Sequence, residues 1–133
     1  TGKKITAVEF FLKELGLKAD AVHGRAEELS RTSKYRDSFD VCVSRAVAAM
    51  PALCEYCLPF VKQGGCFYAL KGPDADDEIA QASGIISRLG ASADLITRYS
   101  IAEDCSRTLI KINKNTSTPP VYPRSSAKIK SQR

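Results

Sequence analysis

Two kinds of apolar pattern alternate along this chain, and that alternation constrains its fold more than any other feature. Short runs rich in branched and aromatic residues, such as FDVCVS at 39–44 and CFYALK at 66–71, are separated by segments with helical spacing. Strands that each lead into a helix of about 10 to 15 residues imply a parallel sheet with helices packed on it. KKITAVEFFLKELG places Ile5, Val8, Leu12 and Leu15 on one helical face, with Gly16 where a helix stops. ADAVH at 19–23 reads as a first short strand and GRAEELSR as a loop running into a short helix. Residues 39–44 form the next strand, followed by a helix over 48–62. The pair Gly64-Gly65 marks a turn before the strand at 66–71. DADDEIAQASGIISRLG is a helix whose first-turn acids suit the helix dipole, and ADLITRYS and SRTLIKINK are two closing strands. The expected fold is α/β, a mostly parallel sheet with helices on both faces, over residues 1–114.

A separate tail is expected over residues 115–133. From residue 111 onward the chain holds six cations, Lys111, Lys114, Arg124, Lys128, Lys130 and Arg133, and no acid, so the other residues sum to minus one. With Pro119, Pro120, Pro123 and four serines, this segment reads as an extended or disordered basic arm, suited either to a polyanion such as RNA or simply to solubility.

Several classes are disfavoured. No apolar run reaches the roughly 18 residues that a membrane span requires, and no signal-peptide pattern opens the chain, so a soluble cytoplasmic protein is expected. Five cysteines, an odd number, do not suggest a disulfide framework. The Cys54-x-x-Cys57 pair lacks a second ligand pair, since Cys105 and His23 stand in unrelated contexts, so no metal site is expected.

In open α/β sheets ligands bind beyond the carboxyl ends of the strands. Arg25 follows the first expected strand, Arg45 the second, and Lys71 ends the third. One such cation is ordinarily a solvated strand end; three at equivalent positions point to a basic cleft. Glu27 adds an acceptor suited to a ribose hydroxyl or an exocyclic amine. Lys3 and Lys4 stand in the first turn of the first helix, where cations oppose the dipole but exposed N–H groups attract phosphate. None of the eight glycines forms the Gly-rich turn that a nucleotide-binding domain of this class requires. With no initial methionine, the sequence is expected to lack the amino-terminal part of a longer protein, including the first two strands of the sheet.

The ordered set KKITAVEFFLKELGL, VHGRAEEL, FDVCVSRAVAAMPALCEYCLPFVKQGGCFYALKG and TPPVYPR resembles the RsmG (GidB) family, bacterial methyltransferases acting on guanine N7 of 16S ribosomal RNA. The resemblance runs from Lys3 to Arg124. It implies a Rossmann-like class I methyltransferase fold, S-adenosylmethionine as cofactor, and a target guanine in the decoding-region loop of the small-subunit RNA, bound by a monomer. It further implies that Ala26 and Glu27 lie beside the adenine of the cofactor and that Arg45 is a catalytic cleft residue next to it. Lys3, Arg25, Lys71, Arg107 and Arg124 match basic positions facing the RNA or the reaction centre. The family's Gly-rich loop and the acid after its second strand have no counterpart here, so these residues alone are expected to bind the cofactor poorly and to be inactive.

The chemistry implied needs few groups. Guanine N7 carries a free lone pair on the major-groove edge and can attack a methyl group without first losing a proton. Two other classes share the pattern: a fragment of a nicotinamide-dependent oxidoreductase, and a non-catalytic RNA-binding domain. Methylation of an amino group is disfavoured, because the Pro-Pro-aromatic motif of such enzymes follows the fourth strand, whereas TPPVYP lies in the tail.

Overall fold

The computed structural model describes residues 2–45, 47–103 and 105–131. Helix α1 spans Gly2–Glu14 and a one-turn α2 spans Ala26–Leu29. Strand β1 (Phe39–Arg45) leads to α3 (Met50–Cys57) and a 3-10 turn (Leu58–Phe60), then to β2 (Val61–Lys71). Helix α4 (Asp76–Arg88), β3 (Ala91–Ser100), β4 (Ser106–Lys114) and a short α5 (Ser126–Lys130) complete the chain. The sheet order is β1-β2-β4-β3.

Within these residues the sheet is mixed and not mostly parallel. Only β1 and β2 run parallel, while β4 is antiparallel to both of its neighbours. The reason is the connection between β3 and β4: residues 101–105 are enough to reverse direction, but a parallel crossover needs a dozen residues or more.

Three other expectations change for local reasons. Residues 19–23 join no ladder among the described residues, since β1 pairs only with β2. A strand exists only where a neighbour satisfies its backbone groups. The helix expected over 48–62 stops at Cys57 because Pro59 cannot continue it, and the backbone passes through the 3-10 turn straight into β2. Gly64 and Gly65 do not precede β2; they lie inside it, at an irregularity where the register jumps from Phe39 opposite Val61 to Val41 opposite Cys66. Gly64 has φ +84°, and a Cβ on Gly65 would stand 2.5 Å from the Asp40 carbonyl oxygen, so the bulge requires both glycines.

Burial follows the period of two. Phe67, Ala69, Thr108, Ile110, Ile112 and Lys114 are buried on one face, against Met50, Leu53 and Cys54 of α3 and Ala82, Ile85 and Ile86 of α4. Each large apolar side chain there contributes about 1.5–3 kcal/mol relative to exposure. Burial also pushes the Cys54 thiol up to about 12. On the opposite face Val41, Val43 and Leu95 stay exposed. Among the described residues the helices that pack are therefore on one face only, not on both as expected, and α1 buries no residue.

The tail is a packed segment, not a free arm. Lys114 Nζ, wholly buried, donates to Asp37 Oδ1 (2.9 Å), Leu58 O (2.8 Å), Val61 O (2.9 Å) and Thr118 Oγ1 (2.6 Å). Arg36 donates to the carbonyls of Thr118, Pro119 and Tyr122, and Arg31 to those of Val121 and Pro123. Arg124 holds the buried Glu55 with its backbone N–H, Nε and Nη2, the last at 2.7 Å, and Ile129 is fully buried. Of the six tail cations, Lys111 pairs with Asp94, Lys114 with Asp37 and Arg124 with Glu55; Lys128 and Lys130 are exposed, and Arg133 lies outside the described residues.

Candidate functional site

The carboxyl ends of β1 and β2 and the β3–β4 junction enclose a cavity of about 470 Å³ lined by Arg45, Leu70, Lys71, Gly72, Tyr99, Ile101 and Arg107. Strand register explains the grouping. Arg45 stands opposite Leu70, Leu70 opposite Leu109, and Tyr99 opposite Arg107. Residues opposite one another project from the same face. Tyr99 and Arg107 are thus side-by-side neighbours, on the face that bears Val41 and Val43 and is free of α3 and α4.

Arg45 is the last residue of β1 and is exposed; among the described residues it makes no ion pair. Arg107 makes a hydrogen bond to the carbonyl of Ser106 (2.8 Å). Lys71 differs from both. Its parity places it on the helix side, where Nζ donates to Ala48 O (2.8 Å) and pairs with Glu78 Oε2 (2.7 Å). The same Glu78 oxygen accepts the Met50 N–H at 2.9 Å. Lys71 therefore braces the segment after β1 against α4, and its side chain is only 13% exposed.

The other expected site residues do not join this cavity. Arg25, Glu27, Glu28, Arg31, Arg124 and Lys130 line a separate depression of about 650 Å³ between α2 and α5. Arg25 Nη1 lies 3.6 Å from Glu27 Oε1, and Ala26 opens α2. Arg25 is not at the sheet edge because residues 19–23 are not a strand of the sheet. Lys3 sits on the exposed α1 and lines neither depression. Arg124 is committed to Glu55, whose carboxylate holds the guanidinium's pKa above its ordinary value through their hydrogen bonds.

Residues expected to hold a cofactor are consequently split. Glu27 lines one depression and Arg45 the other, Ala26 lines neither, and a Cβ added to Gly72, the glycine in the cavity wall, would meet nothing within 4 Å. These residues do not by themselves form a cradle for S-adenosylmethionine. Among the described residues no group of three or more His, Cys, Asp or Glu is placed to hold a metal ion, and no helix is long and apolar enough to cross a membrane. Sequence reasoning missed Tyr99 and Ile101. The alternation in ADLITRYS, read against SRTLIKINK as a hairpin, sets Tyr99 beside Arg107 and is the signal that could have found it.

Comparison with known proteins adds a family. The model described as GidB, rRNA small subunit methyltransferase G, matches residues 1–107. A protein named ribosomal RNA small subunit methyltransferase G from Clostridium novyi is 44% identical over 124 residues, covering 92% of this chain and 51% of the relative. Its namesake from Desulfitobacterium hafniense is 42% identical over 124 residues, covering 92% and 52%. The chain spans about half the length of the curated relatives it matches. The crystal structure of an rRNA methylase from Streptococcus thermophilus superposes with a TM-score of 0.62 at 13% identity, covering 87% of this chain and 70% of that one. At that identity the likeness concerns the fold, which is that of a Rossmann-like α/β domain.

Proposed function

This chain belongs to the rRNA small subunit methyltransferase G family, and from that premise we propose that it carries the base-presenting side of an S-adenosylmethionine-dependent guanine-N7 methyltransferase acting on 16S ribosomal RNA in the bacterial cytoplasm. The observation that carries the reading is the composition of the strand-end cavity. Its described lining offers two arginines, a lysine already paired with Glu78, an aromatic ring and apolar walls, and neither a carboxylate nor an imidazole. That set suits a nucleophile that needs no deprotonation, because guanine N7 keeps its lone pair free at neutral pH.

In this reading the Arg45 guanidinium bonds guanine O6 or the flanking phosphate and leaves N7 open to the methyl donor. A planar fork fixes the base in orientation as well as position. Lys71 acts as a positioning residue, holding through Ala48 the segment that follows Arg45. The cofactor supplies the methyl group, and the cradle for its two ends is not found among the described residues.

The test is a chimera that joins this chain to the remainder of the Clostridium novyi relative, assayed for 7-methylguanine by borohydride and aniline cleavage of 16S RNA. Methylation at N7 is expected, with a single-turnover rate nearly flat from about pH 6.5 to 8.5, since no essential acid or base titrates. Arg45→Ala should lower that rate roughly 100-fold, in keeping with misplacing a reacting group by about an ångström. A methyl group on an exocyclic amine, or a rate rising steeply with pH, overturns the reading.

A further inference from the structure

We propose that Tyr99 is a stacking platform for a single unstacked nucleobase of the RNA, with Arg107 beside it gripping the adjoining phosphate. The inference rests on the RNA reading of the cavity and adds to it a recognition element that acts through a ring face.

The ring has the required placement. Tyr99 is the only aromatic residue in the described lining, lies one residue from the end of β3, and keeps 36% of its surface open. Among the described residues it pairs with no other aromatic ring, unlike Tyr35, which stacks on Phe39 at 6.1 Å. Every residue of β3 after Ala91 is exposed, so the ring is not serving the core. Its ladder partner is Arg107, on the same face. Ile101 and Leu70 supply apolar walls, and Arg45 closes the far side. The cavity volume falls within the range of about 300–1,000 Å³ seen for sites that enclose a small ligand. A half-open aromatic face with a guanidinium alongside is the arrangement by which proteins hold single-stranded nucleic acid, the ring taking the base and the cation the backbone. The apolar groove of Val22, Phe39, Val41 and Phe60 elsewhere on the molecule offers no such cation in its lining.

The same ring face would also accept the adenine of the methyl donor, so the experiment must separate the two sources. The 133-residue chain is titrated against a single-stranded RNA hexamer carrying one 2-aminopurine, whose fluorescence falls on stacking. Quenching is expected with the unaltered chain and with Tyr99→Phe. Tyr99→Ala should abolish quenching and weaken binding about tenfold, the usual effect of losing one stacked base. Tyr99→Leu, which keeps an apolar side chain at this exposed position, should behave like Tyr99→Ala with an unchanged thermal midpoint. Unchanged quenching in Tyr99→Ala, alongside weakened binding in Arg45→Ala, overturns the platform while the RNA reading stands. Loss of the unaltered chain's quenching on adding excess S-adenosylhomocysteine assigns the ring to adenine and likewise overturns it. Failure of the unaltered chain to bind the hexamer overturns the RNA reading and the platform together.

Discussion

Helix α1 and the segment from Thr118 to Ile129 stand at the two ends of the chain and relate to its core in opposite ways. Helix α1 carries apolar residues at helical spacing, yet Val8, Phe10 and Phe11, with Leu15 just past its end, all lie open to solvent. The C-terminal segment is basic and rich in proline and serine, yet Thr118 and Ile129 are buried and its carbonyls are held by Arg31 and Arg36. An apolar stripe states what a helix can bury, and only a facing surface decides whether it does so. A polar segment is ordered when charged partners elsewhere satisfy its backbone, as Asp37, Arg36 and Glu55 do here.

The sharpest way to break the comparison is at Lys114. Lys114→Met takes from the Asp37 carboxylate its ion-pair partner, leaving it only Thr118, and takes from the carbonyls of Leu58 and Val61 the Lys114 donor; it should cost about 3–5 kcal/mol in urea unfolding. Glu55→Ala comes next. It frees the Arg124 guanidinium, itself 25% exposed and so partly rescued by water, at about 2–3 kcal/mol, with residues 118–131 becoming sensitive to limited proteolysis. Phe11→Ser in α1 should change stability by no more than about 0.5 kcal/mol, and a loss above about 2 kcal/mol would show that α1 docks in solution.

The smallest effect concerns acid. The Asp94 carboxyl is held below its ordinary value of 3.8, first by its hydrogen bond to Lys111, and Asp40 is held down in the same way by Lys62. A carboxyl depressed in the folded state binds fewer protons there than in the unfolded chain. Its contribution is complete above the ordinary value and fades as pH falls through the depressed one. Both carboxyls are exposed and screened by solvent, so Asp94→Asn should flatten the acid limb of a stability profile only slightly.

Much of the element order was legible because periods of two and 3.6 are local properties of the backbone. What failed depended on partners. Residues 19–23 have strand composition and no ladder; Gly64 and Gly65 read as a turn until the register of β1 shows a bulge. In the site, Arg45 and Lys71 line one cavity, since strand ends are countable from sequence; Arg25, expected beside them, lines another depression, and Arg107, expected only from the family resemblance, joins the first. The role of Lys71 was not legible, because Glu78 and the Ala48 carbonyl meet it only once α4 has packed. The pairing of Arg124 was not legible for the same reason: Glu55 sits in the middle of an apolar helix and nothing nearby in sequence announces its partner.

The clasp between the C-terminal segment and the body also sets an order of events during synthesis. Asp37 and Thr118 are 81 positions apart, and Glu55 and Arg124 are 69 apart. At about 5–20 residues per second, Arg124 emerges from a ribosome roughly 3–14 s after Glu55. For most of that interval Glu55 is a hydrated carboxylate on a nascent chain whose last strand, Ser106–Lys114, is not yet complete. Closure of the sheet by Ser106–Lys114 therefore precedes the locking of Glu55, and a chain released before Arg124 retains an unpaired acid in the middle of α3.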